Sequence, residues 1–385
     1  MRSATLTAGV PASNNNVYRR VRFSAFDQVA VIDLAARDGG RGTTTVICRD
    51  IEMPRAREHA KADRVACPAD FPPAAGLSPD RDIATAQAVV EYLKKENVTT
   101  VKAGRSLPLL YADLCKAAGI TVECDPMLGV LERRAKQPWE VDALREAQRI
   151  TEGAIELACR LIGRASVRSD SVLMHDGAPL TSERVNMLID LWLLERGFTS
   201  PGNIVAQPPH SFDCHHAGTG ELRTGVLTIV DIFPRSKATL FNGDCTRSVV
   251  HGKVPAPVAA MHKAVVEAKA ASIAATRAGV TGEAVHLAGM KVLEKHGFTR
   301  ALAPDNAPVD FCSMQHGTGH GIGLDLKEPP LIEMGAPALV PGDAVTIEPG
   351  LYHKTHGGIR IEDMVIVREH GCDNLNALPE GLTWE

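Results

Sequence analysis

Four acidic residues in the second half of the chain stand where buried strands are expected to end or return. They are Asp231, Asp244, Glu348 and Glu362. Asp231 follows the apolar run 226–230, and Glu348 follows the run 345–347. A buried carboxylate is costly unless it is paired, protonated or bound to a metal, and four together would also repel one another. The pattern favours a pair of divalent cations, although a single strand-end aspartate is more often a turn cap.

A glycine-rich segment adds a histidine to this set. In His316-Gly-Thr-Gly-His320-Gly-Ile-Gly-Leu324 the glycines let the backbone approach a site closely, and imidazole is a good ligand for zinc, manganese or cobalt. One histidine with four carboxylates would form two oxygen-rich metal positions, which suit the activation of a bridging water for hydrolysis. A phosphate-binding loop is the alternative, but such a loop precedes a helix, whereas 324–330 ends in two prolines.

Two predicted helices share the same residues at an offset of 100 positions. The matched pairs are Thr181/Thr281, Glu183/Glu283, Val185/Val285, Leu193/Leu293, Gly197/Gly297 and Phe198/Phe298. Thr-x-Glu is typical of a helix start, and glycine of a helix end. Each helix follows another one, at 139–162 and 257–278, and leads into one acidic hairpin. The sequence predicts a pseudo-twofold duplication that brings the carboxylates together, unless two unrelated helices share common caps.

The composition indicates a globular protein with two domains. A chain of 385 residues is too long for one ordinary core, and its 44% hydrophobic and 23% charged residues are typical of soluble domains. A net charge of −4 without a basic cluster argues against a nucleic-acid partner, and no apolar run reaches the length of a membrane span. Nine widely spaced cysteines without a CxxC pair predict reduced thiols in the cytoplasm.

The region before residue 136 is predicted to be an α/β scaffold, because strand-like and helix-like segments alternate there without a catalytic cluster. The predicted strands are 28–35, 43–48, 99–103 and 120–124, and the predicted helices are 83–96 and 107–118. The first 16 residues lack the apolar run of a secretory signal and are predicted to be a frayed tail. The predicted domains are therefore 1–135 and 136–385.

Four motifs follow one another in a fixed order along the second domain. They are Asp231…Asp244-Cys-Thr-Arg247, His316-Gly-Thr-Gly-His320-Gly-Ile-Gly-Leu324, Thr346-Ile-Glu348-Pro-Gly-Leu-Tyr352 and Gly358-Ile-Arg-Ile-Glu362-Asp363. This order resembles the signature of the pita-bread metallopeptidases, the family of aminopeptidase P, prolidase and methionine aminopeptidase. The resemblance covers about residues 136–370, and the preceding region looks more loosely like a creatinase-type domain. It implies an α/β chain: a creatinase-like N-terminal α/β domain and a C-terminal pita-bread catalytic domain of duplicated α+β structure.

The resemblance also implies which residues bind metal. The ligands of two divalent ions would be Asp231, Asp244, His320, Glu348 and Glu362. Asp244 and Glu362 would bridge the two ions, and Glu348 would also be the general base that takes a proton from the bridging water. Manganese is the first choice of metal, with cobalt, zinc and iron as alternatives.

Further active-site residues follow from the same resemblance. His316 is similar to a substrate-binding histidine, and His215 to another active-site histidine, with His216 as the alternative because the loop is one residue short. Arg360 resembles an orienting arginine. Lys327 stands where the peptidases usually have a histidine that contacts the peptide. A lysine could donate a hydrogen bond to an oxyanion, but it is a poor proton shuttle unless its pKa falls well below about 10. A solvated loop lysine is the alternative.

The implied reaction is removal of the N-terminal residue from Xaa-Pro peptides or dipeptides by attack of a metal-bridging hydroxide. Lys327 favours an alternative, a non-peptidase C–N amidohydrolase of the creatinase type. A catalytically silent pita-bread binding module is a third reading, which the complete ligand set argues against. The expected partner is a peptide or small amide, without nucleic acid or membrane. The resemblance implies a homodimer, and the cysteine pattern a cytoplasmic location.

Overall fold

The computed structural model describes residues 2–36 and 41–385, which form two compact units, Met1–Glu132 and Arg133–Glu385. Each unit has apolar clusters of its own, so each is described by itself. Every cysteine lies in the described ranges and is a free thiol. Within these ranges, no helix is both long and apolar enough to cross a membrane.

The first unit contains one mixed sheet flanked by helices. Its elements are β1 Arg2–Gly9, α1 Asn15–Val21, β2 Val29–Leu34, β3 Thr43–Ile47, α2 Met53–His59, β4 Arg64–Ala66, α3 Arg81–Lys95, β5 Val98–Ala103, α4 Leu109–Ala117, β6 Thr121–Cys124 and, across the boundary, α5 Val130–Arg134. The sheet has the order β4-β3-β2-β1-β5-β6. The predicted strands and helices of this region are confirmed with shifts of a few residues at their ends. The scaffold interpretation stays a prediction.

The prediction of a frayed N-terminal tail is wrong. Strand β1 lies inside the sheet, antiparallel to β2 and parallel to β5. Ala4, Leu6 and Ala8 are buried, whereas Thr5 and Thr7 between them are half-buried, which is the period of two expected of a strand. The small side chains and the threonines concealed this alternation, because they carry a weak hydrophobic signal.

The second unit is built from two helix pairs and several small sheets. Its elements are α6 Pro138–Gly163, β7 Ser166–Val167, β8 Leu173–His175, β9 Ala178–Pro179, α7 Ser182–Glu195, β10 Phe198–Thr199, β11 Asn203–Ala206, β12 Leu227–Ile232, β13 Arg235–Ser236, β14 Cys245–Val250, α8 Ala256–Ala275, α9 Gly282–Lys295, β15 Thr299–Arg300, β16 Cys312–Met314, β17 Gly319–Gly321, β18 Glu328–Ile332, β19 Ala344–Ile347, β20 Gly350–His353, β21 Gly357–Arg360, β22 Asp363–Arg368 and β23 Gly371–Asn374. We call 138–250 the first half and 256–368 the second half.

The repeated caps predicted from the sequence are confirmed. Thr181 caps α7 by accepting a hydrogen bond from Arg184 N (3.2 Å), and Thr281 caps α9 by accepting one from Ala284 N (3.0 Å). Both helices are followed by a left-handed glycine, with φ of 75° at 197 and 83° at 297. Each half therefore places the same capped helix after a longer one.

The sheets of the two halves differ in size. The first half contributes the three-stranded sheet β11-β12-β14, and the second half contains most of the five-stranded sheet β18-β17-β19-β22-β23. The return strand expected to carry Glu362 is divided into two strands, because β21 pairs with β20 and β22 pairs with β19 in another sheet. Glu362 lies between β21 and β22, at the point where the chain passes from one sheet to the other.

The C-terminal segment 375–385 has no helix or strand, yet it is tied into the core. Leu382 and Trp384 are buried. The side-chain oxygen of Asn376 accepts hydrogen bonds from Met364 N (2.8 Å) and from Gln148 Nε2 (3.0 Å). The segment thus connects α6 of the first half to β22 of the second half.

Candidate active site

A cavity of about 500 Å³ opens within the second unit. The residues predicted for the site all line it: Asp231, Asp244, Glu348, Glu362, His320, His316, His215 and Lys327. Arg360 lines it as well. The structure therefore brings together, from both halves, every residue that the sequence singled out, and leaves their chemical roles to be proposed below.

The predicted ligand residues converge at one place in this cavity. One carboxylate oxygen from each of Asp231, Asp244 and Glu362 lies within 4.8 Å of the others. His320 Nε2 lies 3.6 Å from Asp244 Oδ2 and 3.4 Å from Glu348 Oε1. These distances are too long for strong hydrogen bonds but leave room for a cation between the groups.

Two threonines hold the carboxylates of this cluster in place. Thr246 of β14 lies opposite Asp231 of β12, and its hydroxyl donates to Glu362 Oε2 at 2.7 Å. Thr346 of β19 donates to Glu348 Oε1 at 3.1 Å. The orientation of these carboxylate oxygens therefore depends on the pairing of β12 with β14 and on Glu348 following directly after β19.

The protonation behaviour of the cluster reflects crowding of negative charge. Burial, and then the neighbouring carboxylates, raise the pKa of Asp244 and of Glu362 well above their ordinary values. Burial also raises the pKa of Asp231 although Arg360 opposes it. Burial would raise the pKa of Glu348 too, but the charge of His320 leads the opposing effects, and the pKa falls below its usual value. A cation would relieve the repulsion among these groups.

Two further observations fit a bound metal. Oδ1 of Asp231 is buried and has no hydrogen-bond partner among the described residues. His320 Nδ1 lies 3.0 Å from the carbonyl oxygen of Gly321, which can only accept, so Nδ1 carries the proton. Nε2 faces the carboxylates of Asp244 and Glu348, which favour a proton or a cation at this nitrogen, and a ring that donates through Nδ1 and offers Nε2 is typical of a ligating histidine.

Arg360, which resembles an orienting arginine, contacts Asp231. Its buried guanidinium donates to Asp231 Oδ2 (2.6 Å) and to the hydroxyl of Tyr352 (2.6 Å). Tyr352 in turn lies 2.7 Å from His316 Nε2. The tyrosine belongs to a motif quoted from the sequence, but nothing in the sequence singled it out as a link between Arg360 and His316.

His316 is a neutral imidazole with both ring nitrogens engaged. Its Nδ1 lies 2.7 Å from the carbonyl oxygen of Gly317 and must donate to it, so Nε2 accepts from Tyr352. Burial lowers the pKa of His316 to about 4. At neutral pH this residue therefore brings no positive charge to the cavity.

Of the two histidines left open by the sequence, His215 is the one that reaches the cavity. It is exposed, and its Nδ1 lies 3.6 Å from Cys214 Sγ. His216 instead accepts a hydrogen bond from Gly218 N (3.0 Å) and stacks on His210, with ring centroids 4.5 Å apart. His216 is absent from the residues that line the cavity.

Comparison with known proteins places the chain in a family. Residues 142–369 match the model of metallopeptidase family M24, so the chain belongs to that family. A probable dipeptidase, PepE, of Mycobacterium tuberculosis is 34% identical over 254 residues, 65% of this chain and 60% of the relative. A putative Xaa-Pro aminopeptidase of Mycoplasma genitalium is 30% identical over 246 residues, 62% of this chain and 61% of the relative. The match thus spans about 60% of the length of these relatives.

Solved structures confirm the predicted fold class. The X-Pro aminopeptidase from Thermotoga maritima superposes with a TM-score of 0.76 at 20% identity, covering 99% of this chain and 97% of the other. The Xaa-Pro dipeptidase from Bacillus anthracis gives 0.76 at 21% identity, covering 99% and 94%. The chain has the fold of these proteins: an N-terminal α/β domain followed by a pita-bread domain.

Proposed function

We propose that the chain is a dinuclear metal-dependent hydrolase that removes the N-terminal residue from Xaa-Pro peptides or dipeptides. One observation carries this proposal: five residues of the ligand types that divalent cations prefer converge on one buried cavity. They are Asp231, Asp244, His320, Glu348 and Glu362. Membership of the metallopeptidase family supports it, as do the Xaa-Pro and dipeptidase names of relatives.

The ligand types suit two divalent cations. Asp244 and Glu362 would be shared by the two ions, Asp231 would complete the set of one, and His320 with Glu348 would complete the set of the other. Cations bound there would polarise the scissile carbonyl group and lower the pKa of a water molecule. The unpartnered Asp231 Oδ1 and the lone pair of His320 Nε2 are the features of this chain that such ions would satisfy.

Side chains of the protein would carry out the proton transfer and contact the substrate. Glu348 has a lowered pKa and is ionised at neutral pH, so it can accept a proton from the attacking water as general base. Thr346 holds one of its oxygens at 3.1 Å, which restricts the direction of proton transfer. Arg360 fixes Asp231, and through Tyr352 it fixes His316 at the wall that would receive the substrate. His215 lies at the same cavity and is proposed as a second substrate contact.

A second candidate function is hydrolysis of a non-peptide C–N bond in a small amide. Lys327 favours it, because this exposed lysine lines the cavity where the family's peptidases usually have a histidine. The two candidates share the metal cluster and differ in what the cavity wall recognises. A screen in which small cyclic or guanidino amides are hydrolysed, while Xaa-Pro peptides are not, would favour this second function.

The proposal is tested by measuring release of the N-terminal residue from an Xaa-Pro dipeptide, which also yields proline, and from an Xaa-Pro-Yaa tripeptide, which also yields Pro-Yaa. The full chain is reconstituted with manganese, and Glu348→Gln is measured beside it. Release by the wild type and not by the variant supports the peptidase. A folded, metal-loaded protein that releases the N-terminal residue from neither substrate rules the peptidase out.

Three finer features are part of the same proposal. Manganese is proposed as the bound metal, since carboxylate-rich sites accept manganese and selection depends on geometry and supply. A homodimer follows from the family resemblance, and a cytoplasmic location from the free thiols. Metal analysis of purified protein, light scattering and cell fractionation would each test one of them.

A further inference from the structure

Lys327 is a cation at the cavity wall that has no partner. The ammonium group is exposed, and among the described residues no hydrogen bond or ion pair at contact distance reaches it. The other permanent cation lining the cavity, Arg360, is fully engaged by Asp231 and Tyr352. Of the two cations that line this described cavity, Lys327 is therefore the one that is available to bind a ligand.

The loop that carries Lys327 is held by ion pairs on both sides of it, and those made by Glu328 are buried. Arg133 pairs with Asp325 and with Glu328, and Lys136 also donates to Glu328. Glu328 and Lys136 are almost completely buried, so breaking these pairs would leave uncompensated charges. The charged neighbours of Lys327 thus face away from the cavity and are neutralised there, which leaves the lysine to face the substrate space.

Backbone contacts fix the same loop from the other side. The side chain of Asn242 donates to Gly323 O (2.8 Å) and Leu324 O (3.0 Å). Gly323 has no room for a side chain, since a Cβ there would approach Glu328 Oε1 to 2.6 Å. The loop is therefore a pre-organised support, and Lys327 loses only side-chain freedom when it binds a ligand.

The charges that line the cavity determine which kind of substrate group Lys327 can bind. The metal cluster contributes four carboxylates, and Glu333 adds a fifth to the lining. His316 is neutral and both its nitrogens are engaged, so it cannot receive an anion. Two divalent cations would balance the four carboxylates of the cluster, so Lys327 would be the cation left to receive an anionic group of the substrate, and a lysine–carboxylate contact is a strong, charge-assisted hydrogen bond.

We propose that Lys327 binds the free C-terminal carboxylate of the substrate, which makes the enzyme selective for dipeptides. This inference rests on the proposed function. Lys327 lines the same cavity as Glu348 and the rest of the cluster. One residue of extended chain spans about 3.5 Å. The proposal therefore requires that a carboxylate one residue beyond the scissile bond meets the lysine, and that the carboxylate of a longer peptide lies beyond it.

The test compares an Xaa-Pro dipeptide with its C-terminal amide, which has the same length and lacks only the charge. We expect the wild type to prefer the free acid, and Lys327→Met to lower kcat/KM for the acid by roughly 10- to 100-fold, mainly through KM. The amide should be hydrolysed equally by both proteins. Lys327→Arg should keep the preference for the acid, because it keeps the charge.

Lys237→Met is the matched control, since this lysine is also exposed and does not line the cavity. It should behave as the wild type with both substrates. Equal hydrolysis of acid and amide by the wild type would overturn the proposal. So would a Lys327→Met variant that loses kcat for acid and amide alike, because that result assigns the lysine to the reaction itself.

A binding experiment separates this inference from the proposed function. The metal-loaded Glu348→Gln protein is titrated calorimetrically with the dipeptide and with its amide, with and without Lys327→Met. Acid-selective binding that disappears in the double variant supports the carboxylate site, even if the wild type hydrolyses neither compound. Binding that is equal for acid and amide overturns it whatever the activity.

Discussion

The two halves of the unit Arg133–Glu385 share a helix pair and differ in their sheets. Both halves place a threonine-capped helix after a longer helix, and both deliver two carboxylates to the cavity. The first half has a three-stranded sheet, whereas the second contains most of a five-stranded one. The order β17-β19-β22 matches β11-β12-β14, so the added strands are β18 and β23, and β18 begins directly after Lys327. Duplication thus accounts for the acids, and the added strand β18 follows the loop that carries Lys327.

The two halves contribute different groups to the cavity. In the first half Asp231 lies in β12 and Asp244 directly precedes β14, and these two acids belong to the cluster. The second half supplies Glu362 and His320 to the cluster and, in addition, the proposed base Glu348 and the cation Lys327. We therefore expect substitutions of Asp231 and Asp244 to act through metal occupancy, and those of Glu348 and Lys327 to act also on turnover and selectivity.

The largest expected effect comes from removing the proposed base. Glu348→Gln should lower kcat for proline release by roughly 100- to 10,000-fold, because the amide cannot accept a proton from water. The measurement is steady-state hydrolysis of an Xaa-Pro dipeptide at saturating metal. Glu369→Gln, which changes an exposed acid directly after the second half, is the control and should retain full activity. Comparable activity in Glu348→Gln and the wild type would remove Glu348 from the mechanism.

Removing the proposed bridging acid of either half should lower the content of bound metal by a similar amount. Asp244→Asn and Glu362→Gln each remove a carboxylate that is proposed to touch both ions, so each variant should retain less than half of the bound metal after gel filtration. Metal is measured by atomic emission beside protein concentration. If one variant keeps its full metal content while the other loses it, the two halves do not contribute equivalent ligands.

The stabilisation by metal should grow with pH. The pKa values of Asp244 and Glu362 are raised in the metal-free fold, so these groups favour folding below their ordinary pKa values and oppose it as pH rises. Metal binding requires the ionised forms and removes this penalty. We expect the Tm difference between metal-loaded and chelated protein to widen from about pH 5 to about pH 8. A difference that narrows over this range would contradict the prediction.

The smallest expected effects test whether the capped helices of the two halves contribute equally to the free energy of unfolding. Thr181→Ala and Thr281→Ala each remove one helix cap and should each lower the free energy of unfolding by about 1 kcal/mol. The double variant should lose the sum, because the two caps lie in different halves. Urea unfolding followed by circular dichroism provides the measurement, with the corresponding serine variants as controls that keep the cap. Unequal losses would indicate that one helix is supported mainly by its packing.

Much of the site could be predicted because its signals are local. A strand-end carboxylate such as Asp231, and a cap such as Thr281, depend on residues within a few positions. The contact of Gln148 with Asp244 could not be predicted, since Gln148 Nε2 donates to Asp244 O (2.7 Å) and Gln148 Oε1 accepts from Asp244 N (3.0 Å) across 96 positions. The break at Glu362 was missed for a related reason, because a strand changes sheets only in response to its neighbours in space.

The position of the C-terminal segment has a consequence for handling the protein. Asn376 holds Gln148, and Gln148 holds the backbone of Asp244, so a proposed metal ligand is connected to the last residues of the chain. Trimming by a carboxypeptidase that passes residue 376 would weaken the cluster without touching any ligand. A purified sample that slowly loses metal should therefore be checked by mass spectrometry for shortened chains.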